Sequence, residues 1–193
     1  MIGLGQGVFW AAATVALFKN LAQGWHGRGQ SGPQGGAADL QRYVIYALYL
    51  VVWGIALLHW HAVPPLILGA GAAAIVAGSG VTLLAIWTLG QSYRERIEPG
   101  EGAVLQTAGV FRWVRHPMRV GLAIELIGVA LSSLDWISVA LTAVVGGLLI
   151  ARSRQEEALL ARRYGTAYAR YREKTPAFPM GPLTKRTDST QAR

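Results

Sequence analysis

Long apolar runs, separated by short polar stretches, dominate this chain. A helix that crosses the hydrocarbon core of a bilayer needs roughly 20 mostly apolar residues. Judged by that length, residues Leu4 to Phe18 predict a first span, short and rich in glycine. Tyr43 to His59 predict a second, within "YVIYALYLVVWGIALLHW". Leu66 to Leu89 predict a third, after Pro64-Pro65, and Pro117 to Leu134 a fourth. Trp136 to Ala151 predict a fifth. Only Ser-Leu-Asp separates the last two, which predicts a tight antiparallel hairpin. From Ala151 the pattern changes to "ARSRQEEALLARRYGTAYARYRE", with Leu159, Leu160, Tyr164, Tyr168 and Tyr171 at helical spacing and Gly165 interrupting. That is the pattern of an amphipathic helix at a membrane surface. The fold class expected is an all-α integral membrane protein with about five transmembrane helices, the hairpin, and a cytoplasmic C-terminal helix.

Composition agrees. Hydrophobic residues make up 52% of the 193 residues and charged residues 15%, against about 25% charged in soluble domains. Mean hydropathy is +0.33. There is no cysteine, which excludes disulfides, a thiol nucleophile and thiolate-bound zinc. No other spacing suggests a metal: His59 and His61, two apart on a helix, face apart and read as interfacial residues beside Trp60.

The net charge of +8 and pI of about 10.3 raise the question of nucleic acid. The placement of the charges answers it. Lys19, Arg28 and Arg42 fall between spans one and two. Arg94, Arg96, Arg112 and Arg115 fall between three and four, and ten more follow span five; "HWHAVPP" and "SSLD" carry none. This is the positive-inside pattern. It predicts an outside N-terminus, with residues 90–116 and 152–193 in the cytoplasm, and removes the main support for a nucleic-acid partner. The opening residues lack a basic stretch before the apolar run, so no cleaved signal peptide is expected.

Residues 24–38, "GWHGRGQSGPQGGAA", read as a flexible loop, and the tail beyond Leu183 as polar and frayed. "GAGAAA" at 69–74 formally fits G-x-G-x-x-A, but a dinucleotide site needs a preceding strand. In an apolar span these small residues instead allow close helix packing.

The chemistry is expected on the cytoplasmic side. In "LQTAGVFRWVRHPMRVG", Gly109 suits a tight turn and Pro117 the first turn of a helix. His116 and the free N–H groups beside it then face the cytoplasm, suited to an anion. Arg112 and Arg115 alone would be ordinary flanking charges. Arg152 and Glu156, four apart, share a helix face; they read either as a plain ion pair or as part of a polar site under the bilayer. Glu125 lies inside span four, where a carboxylate is costly and usually paired or functional.

"GVFRWVRHPMRVG", a membrane hairpin, then "EEALLARRYGTAYARY" and "TPAFP", resemble the isoprenylcysteine carboxyl methyltransferase family, whose relatives include phospholipid and other lipid methyltransferases. The resemblance covers about residues 90–180, with both halves in order. It implies S-adenosylmethionine as cofactor, enclosed between the RHP segment and the C-terminal helix, and a lipophilic acceptor entering from the bilayer. By motif position, Ala103, Val104, Leu105 and Gln106 would line the cofactor. Phe111, His116, Pro117, Met118 and Arg119 would complete that wall, and Glu156 would take a polar part of it. Arg152 falls where the family places an arginine facing the acceptor. Arg119 stands where the family pattern has tyrosine. Glu125 would either line an acceptor tunnel or hydrogen-bond within the bundle. The division implied is 1–90 as anchoring helices, 91–180 as cofactor-binding and catalytic core, and 181–193 as tail. Two rival readings share the fold: a membrane reductase with a nicotinamide cofactor, and a non-enzymatic lipid-binding protein.

Overall fold

The computed structural model describes residues 4–27, 37–59, 63–90 and 104–179. Among the described residues the α-helices are α1 (Leu4–Gly27), α2 (Ala37–His59), α3 (Pro65–Leu89), α4 (Pro117–Ser133) and α5 (Trp136–Lys174), with a 3₁₀ turn at Gly109–Arg112 before α4. No strand occurs among the described residues.

Local chemistry sets most of the boundaries. Pro65 opens α3, and Pro117 opens α4, each at a position whose N–H has no helical partner. α3 ends at Gly90, with φ 52°, a left-handed residue that glycine adopts without steric cost. α4 ends at Leu134, with φ 46°. The next residue, Asp135, caps α5 by accepting from the backbone N–H groups of Ile137 at 2.9 Å and Ser138 at 3.1 Å, a strong N-cap. These two residues make the reversal expected from Ser-Leu-Asp.

The buried residues form helical stripes that meet in one core: Phe9, Ala12 and Ala16 from α1, Ile45, Tyr49, Val52 and Ala56 from α2, Leu68, Ala72 and Ile75 from α3, Leu126 and Val129 from α4, and Val145 and Leu149 from α5. Leu50, Leu58, Leu66, Trp87 and Trp136 are exposed on the outer faces, as lipid-facing side chains are.

α3 and α4 approach so closely that no side chain fits between them at two levels. A Cβ on Gly78 would lie 2.4 Å from the carbonyl oxygen of Gly121, and one on Gly71 2.7 Å from that of Gly128. Small residues at a membrane helix interface permit this approach. Gly71 belongs to "GAGAAA", so part of that stretch packs as the pattern implied, while Gly69 faces open space.

Several boundaries differ from the sequence reading. α1 runs beyond Phe18 to Gly27, so Lys19 is not a loop charge. Its side chain is buried and pairs with Glu125, which lets the helix continue through it. Residues 24–27 and 37–38 of the expected loop are helical, and Arg42 lies within α2. α5 does not stop at Ala151 but continues through the polar segment as one helix, broken only at Gly165, with φ 50°. The expected separate C-terminal helix is therefore an extension of span five.

Among the described residues, the helices long and apolar enough to cross a membrane are Leu40–His59, Pro65–Leu89 and Trp136–Lys174, and the apolar part of α1 is the shorter Val8–Asn20. The 17 residues of α4 rise about 25 Å, short of a core about 30 Å thick. The chain is an all-helical integral membrane protein.

Candidate functional site

The polypeptide between α3 and α4 is fastened to the end of α3. Gln106 donates from Nε2 to the carbonyl oxygen of Thr88 at 2.9 Å. Gly109, at φ 59°, lies so close that a Cβ would meet Thr88 Cγ2 at 2.8 Å. The 3₁₀ turn follows, and then the chain turns inward at Arg115 and His116, both buried.

There it meets the segment after α5. The backbone N–H of Arg115 donates to Pro176 O at 2.9 Å, and that of His116 to Ala177 O at 3.3 Å. The Tyr171 hydroxyl donates to Phe111 O at 2.6 Å and Thr175 Oγ1 to Arg112 O at 3.4 Å. Phe178 lies against His116, with ring centroids 5.8 Å apart. Residues 175–178 thus form a strap across the RHP turn.

The side chains continue the join. Arg115 donates from Nε and Nη2 to Glu157 Oε1 at 2.9 and 2.6 Å, and from Nη1 to the carbonyl oxygens of Arg172 and Thr175. It is a structural clamp, not merely a flanking charge. His116 Nε2 lies 3.3 Å from the same Glu157 oxygen. Its Nδ1 lies 2.7 Å from Arg119 Nη1. Arginine has only protons to offer, so Nδ1 accepts and Nε2 is left to donate to Glu157. Arg119 also pairs through Nη2 with Glu156 Oε2, which in turn lies 3.7 Å from His116 Nδ1. The result is a chain of contacts, Arg115, Glu157, His116, Arg119, Glu156, with an ion pair at each end, deeply buried at the first end and more open at the last.

Burial alone would push the Glu157 carboxyl up, but hydrogen bonds from His116 and Arg115, and the Arg115 charge, outweigh it and hold the group at about 2. Burial raises Tyr171 to about 12. Tyr168 is pushed up as well, first by burial and then by Glu157. Its hydroxyl is buried with no hydrogen-bond partner. An unpaired buried hydroxyl is costly and calls for an explanation.

Of the residues proposed from sequence, His116, Arg119 and Glu156 come together. Pro117 is buried beneath them, and Met118 is half-buried. Arg152, buried, lies one turn before Glu156, in electrostatic reach of Arg119, Glu156, Arg42 and Tyr46. Phe111 and Leu105 are half-buried, Gln106 is tied to α3, and Val104 is exposed. Ala103 lies outside the described residues. Glu125 is elsewhere. It is fully buried in the bundle, with Lys19 Nζ at 2.7 Å, the Tyr49 hydroxyl at 2.5 Å and Ser79 Oγ at 3.0 Å. Of the two roles the sequence left open to it, hydrogen bonding within the bundle is the one these contacts display. Sequence reading did not single out Glu157, Tyr168, Thr175 or Phe178 as site residues. The Glu-Glu doublet and the helical tyrosine spacing were the available signals.

At one end of the helical bundle a cluster of charged side chains joins the RHP turn to the polar half of α5. Residues 71–162 match the model of the isoprenylcysteine carboxyl methyltransferase (ICMT) family. The matched segment includes most of α3, which the sequence reading grouped with the anchor. Among solved structures, the chain resembles the eukaryotic intramembrane Ras methyltransferase ICMT determined without a monobody, with 23% identity and a TM-score of 0.58. The likeness covers 72% of this chain and 52% of that one, so the chain spans about half the length of that relative. At this identity the likeness speaks for the fold. No curated protein matches the chain.

Proposed function

We propose that the protein is an S-adenosylmethionine-dependent methyltransferase acting on a lipophilic acceptor. The observation that carries the reading is the meeting of His116 and Arg119 with Glu156 and Glu157, two motif halves that the family pattern requires together. The residues present suit the cofactor. It is a cation with a polar amino-acid end, and the pocket offers carboxylates, a guanidinium and the unpaired Tyr168 hydroxyl.

When bound, S-adenosylmethionine supplies a methyl group already activated on a sulfonium. The protein's task is then to align and desolvate the partners. Val104, Leu105, Gln106, Phe111, Pro117 and Met118 line the cofactor side in this reading; His116, Arg119 and Glu156 hold its polar end. Arg115 and the 175–178 strap keep the two walls together and water out. Arg152, at the level where α5 leaves its apolar stretch, holds an anionic acceptor by two parallel hydrogen bonds. A carboxylate acceptor is ionised at neutral pH and needs no base. A phenol or amine acceptor needs one, and with Glu156 committed to the cofactor's polar end and Glu125 to the bundle, the anionic acceptor is the better fit.

The positive-inside pattern puts this site on the cytoplasmic side and the N-terminus outside, with membrane lipids around the bundle and no nucleic-acid partner. Residues 91–180 then form the catalytic core, anchored by the helices before residue 90. Incubating purified protein with membrane lipid extract and methyl-labelled S-adenosylmethionine tests the reading. A labelled, organic-soluble product, identified by mass, is expected. No transfer, with no binding of S-adenosylhomocysteine, would overturn it.

A further inference from the structure

Surrounding lipid accounts for the exposed apolar side chains of the spanning helices, but not for Trp113. That residue stands outside those helices, at the end of the 3₁₀ turn between α3 and α4, and is 70% exposed. A large apolar side chain presented outward on a connecting turn marks a surface that something else covers. The guanidinium of Arg112 lies over its ring, 5.3 Å from the centroid, so an apolar ring and a positive charge are offered together.

The neighbours fix the level of this surface. Gln106 and Gly109 hold the turn against Thr88 at the end of α3. The preceding residue, Trp87, is 81% exposed. It lies 22 residues beyond Pro65, a rise of about 33 Å, close to the roughly 30 Å of a bilayer core. α3 therefore reaches the edge of the hydrocarbon at Trp87, and Trp113 is carried to the same level. On the other side, Tyr171 and Thr175 donate to the carbonyls of Phe111 and Arg112. This brings the exposed Arg170 and Lys174 to the same end, with the half-buried Glu173 as the acidic side chain between them. Indole rings favour the headgroup layer, and basic residues at that depth are drawn to anionic lipids.

We infer that the turn carrying Arg112 and Trp113 docks on an anionic bilayer surface, with Trp87 and Trp113 in the headgroup layer and Arg112, Arg170 and Lys174 on lipid phosphates. Charge and depth together select lipid over a soluble partner: the cations surround an apolar ring at the level the bilayer reaches. Arg115 and His116 follow directly in the chain, so docking seats the charged cluster where the polar end of a lipid lies.

The chain has no cysteine, so Ala108→Cys, exposed at the start of the turn, takes a single nitroxide spin label. The labelled full chain is reconstituted in vesicles of phosphatidylcholine alone and of equal parts phosphatidylcholine and phosphatidylglycerol. Collisions with dissolved oxygen, which concentrates in lipid, are compared with collisions with a water-soluble nickel chelate. In the anionic vesicles the label should read as interfacial. In the neutral vesicles, or in sodium chloride at about 1 M, where the screening length falls to about 3 Å, it should move toward water. Trp113→Ala should move it likewise. Arg170→Gln and Lys174→Gln should each lower the docked-to-undocked ratio by about fivefold, the worth of one basic residue at an anionic surface. All three side chains are exposed, so thermal unfolding in detergent should match the wild type and shows that the variants are folded. A label in water in both vesicles would overturn the inference and leave the surface to a soluble partner. Equal burial in both, or burial unmoved by the two charge variants, would also overturn it, because apolar insertion alone would then suffice. The readout needs neither nucleoside nor turnover, so its failure and that of the proposed function are separate.

Discussion

Lys19 and Glu125, 106 residues apart, meet at 2.7 Å with side chains 1% and 0% exposed. Tyr49 and Ser79 share the same carboxylate, and Asn20 donates to the Tyr49 hydroxyl at 3.0 Å. Helices α1, α2 and α3 are thereby tied to one residue of α4. Removing one member leaves a desolvated charge behind, which costs about 3–5 kcal/mol, whereas replacing both by apolar groups is often close to neutral. Lys19→Met and Glu125→Leu should each lower stability in detergent strongly. The double variant should recover much of the loss. Single variants that unfold with wild-type protein would show that the pair contributes nothing.

The α3–α4 interface predicts a sharp contrast among glycines. Gly78→Ala and Gly121→Ala place a methyl against backbone, with contacts at 2.4 and 2.5 Å that no side-chain rotation relieves. Both should be destabilising by more than about 2 kcal/mol. Gly54→Ala and Gly80→Ala meet nothing within 4 Å and should be neutral or stabilising by up to about 1 kcal/mol, since alanine favours helix. Thermal unfolding of the four variants checks the pattern.

Glu157 predicts an acid-sensitive closure. Its carboxyl, held at about 2 against an ordinary 4.5, contributes stability that is complete above about 4.5 and is lost as pH falls toward 2. Release of the 175–178 strap should accompany that loss, because Arg115 joins Glu157 to the strap's carbonyls. Glu157→Gln should be less stable at neutral pH and should show a flatter stability profile over the acid window. An unchanged acid profile in the variant would place the titration elsewhere.

How much of this was readable beforehand depends on the distance over which each feature is decided. Pro65, Pro117 and Gly165 act on their own turn, and their consequences were legible. The two motif halves pointed to a shared site because a family pattern encodes a long-range meeting that residue spacing does not. The Lys19–Glu125 bond was out of reach. Hydropathy registers Lys19 as the end of a span and Glu125 as an anomaly within another, and only the packing of α1 on α3 and α4 shows that each explains the other. Arg115 is the same lesson in reverse: a residue accounted for by topology is in fact committed to Glu157 and two carbonyls. The continuity of α5 was missed because its sequence changes from apolar to polar at Ala151, which marks where lipid ends and does not interrupt helical hydrogen bonding.

Arg152 gives the test of acceptor recognition in the proposed function. Leu148, one turn earlier on α5, receives a hydrogen bond at its carbonyl from Gln41 Nε2 at 3.2 Å, so α2 lies beside this face of the helix. The neighbouring guanidinium of Arg119 is engaged by Glu156 and His116, which the proposed function places on the cofactor side. If Arg152 holds an anionic acceptor with two parallel hydrogen bonds, Arg152→Ala should lower kcat/KM for methyl transfer by about 100-fold, in keeping with two charge-assisted bonds. S-adenosylhomocysteine affinity should stay within about threefold of wild type, because the cofactor end is held by other residues. Arg152→Lys keeps the charge but loses the forked geometry, and should fall between the two, with more of its deficit in KM than in kcat. Titrating both nucleoside and acceptor against each variant separates the effects. A variant that loses nucleoside binding in step with turnover would move Arg152 to the cofactor wall, and full turnover in Arg152→Ala would remove it from acceptor binding altogether.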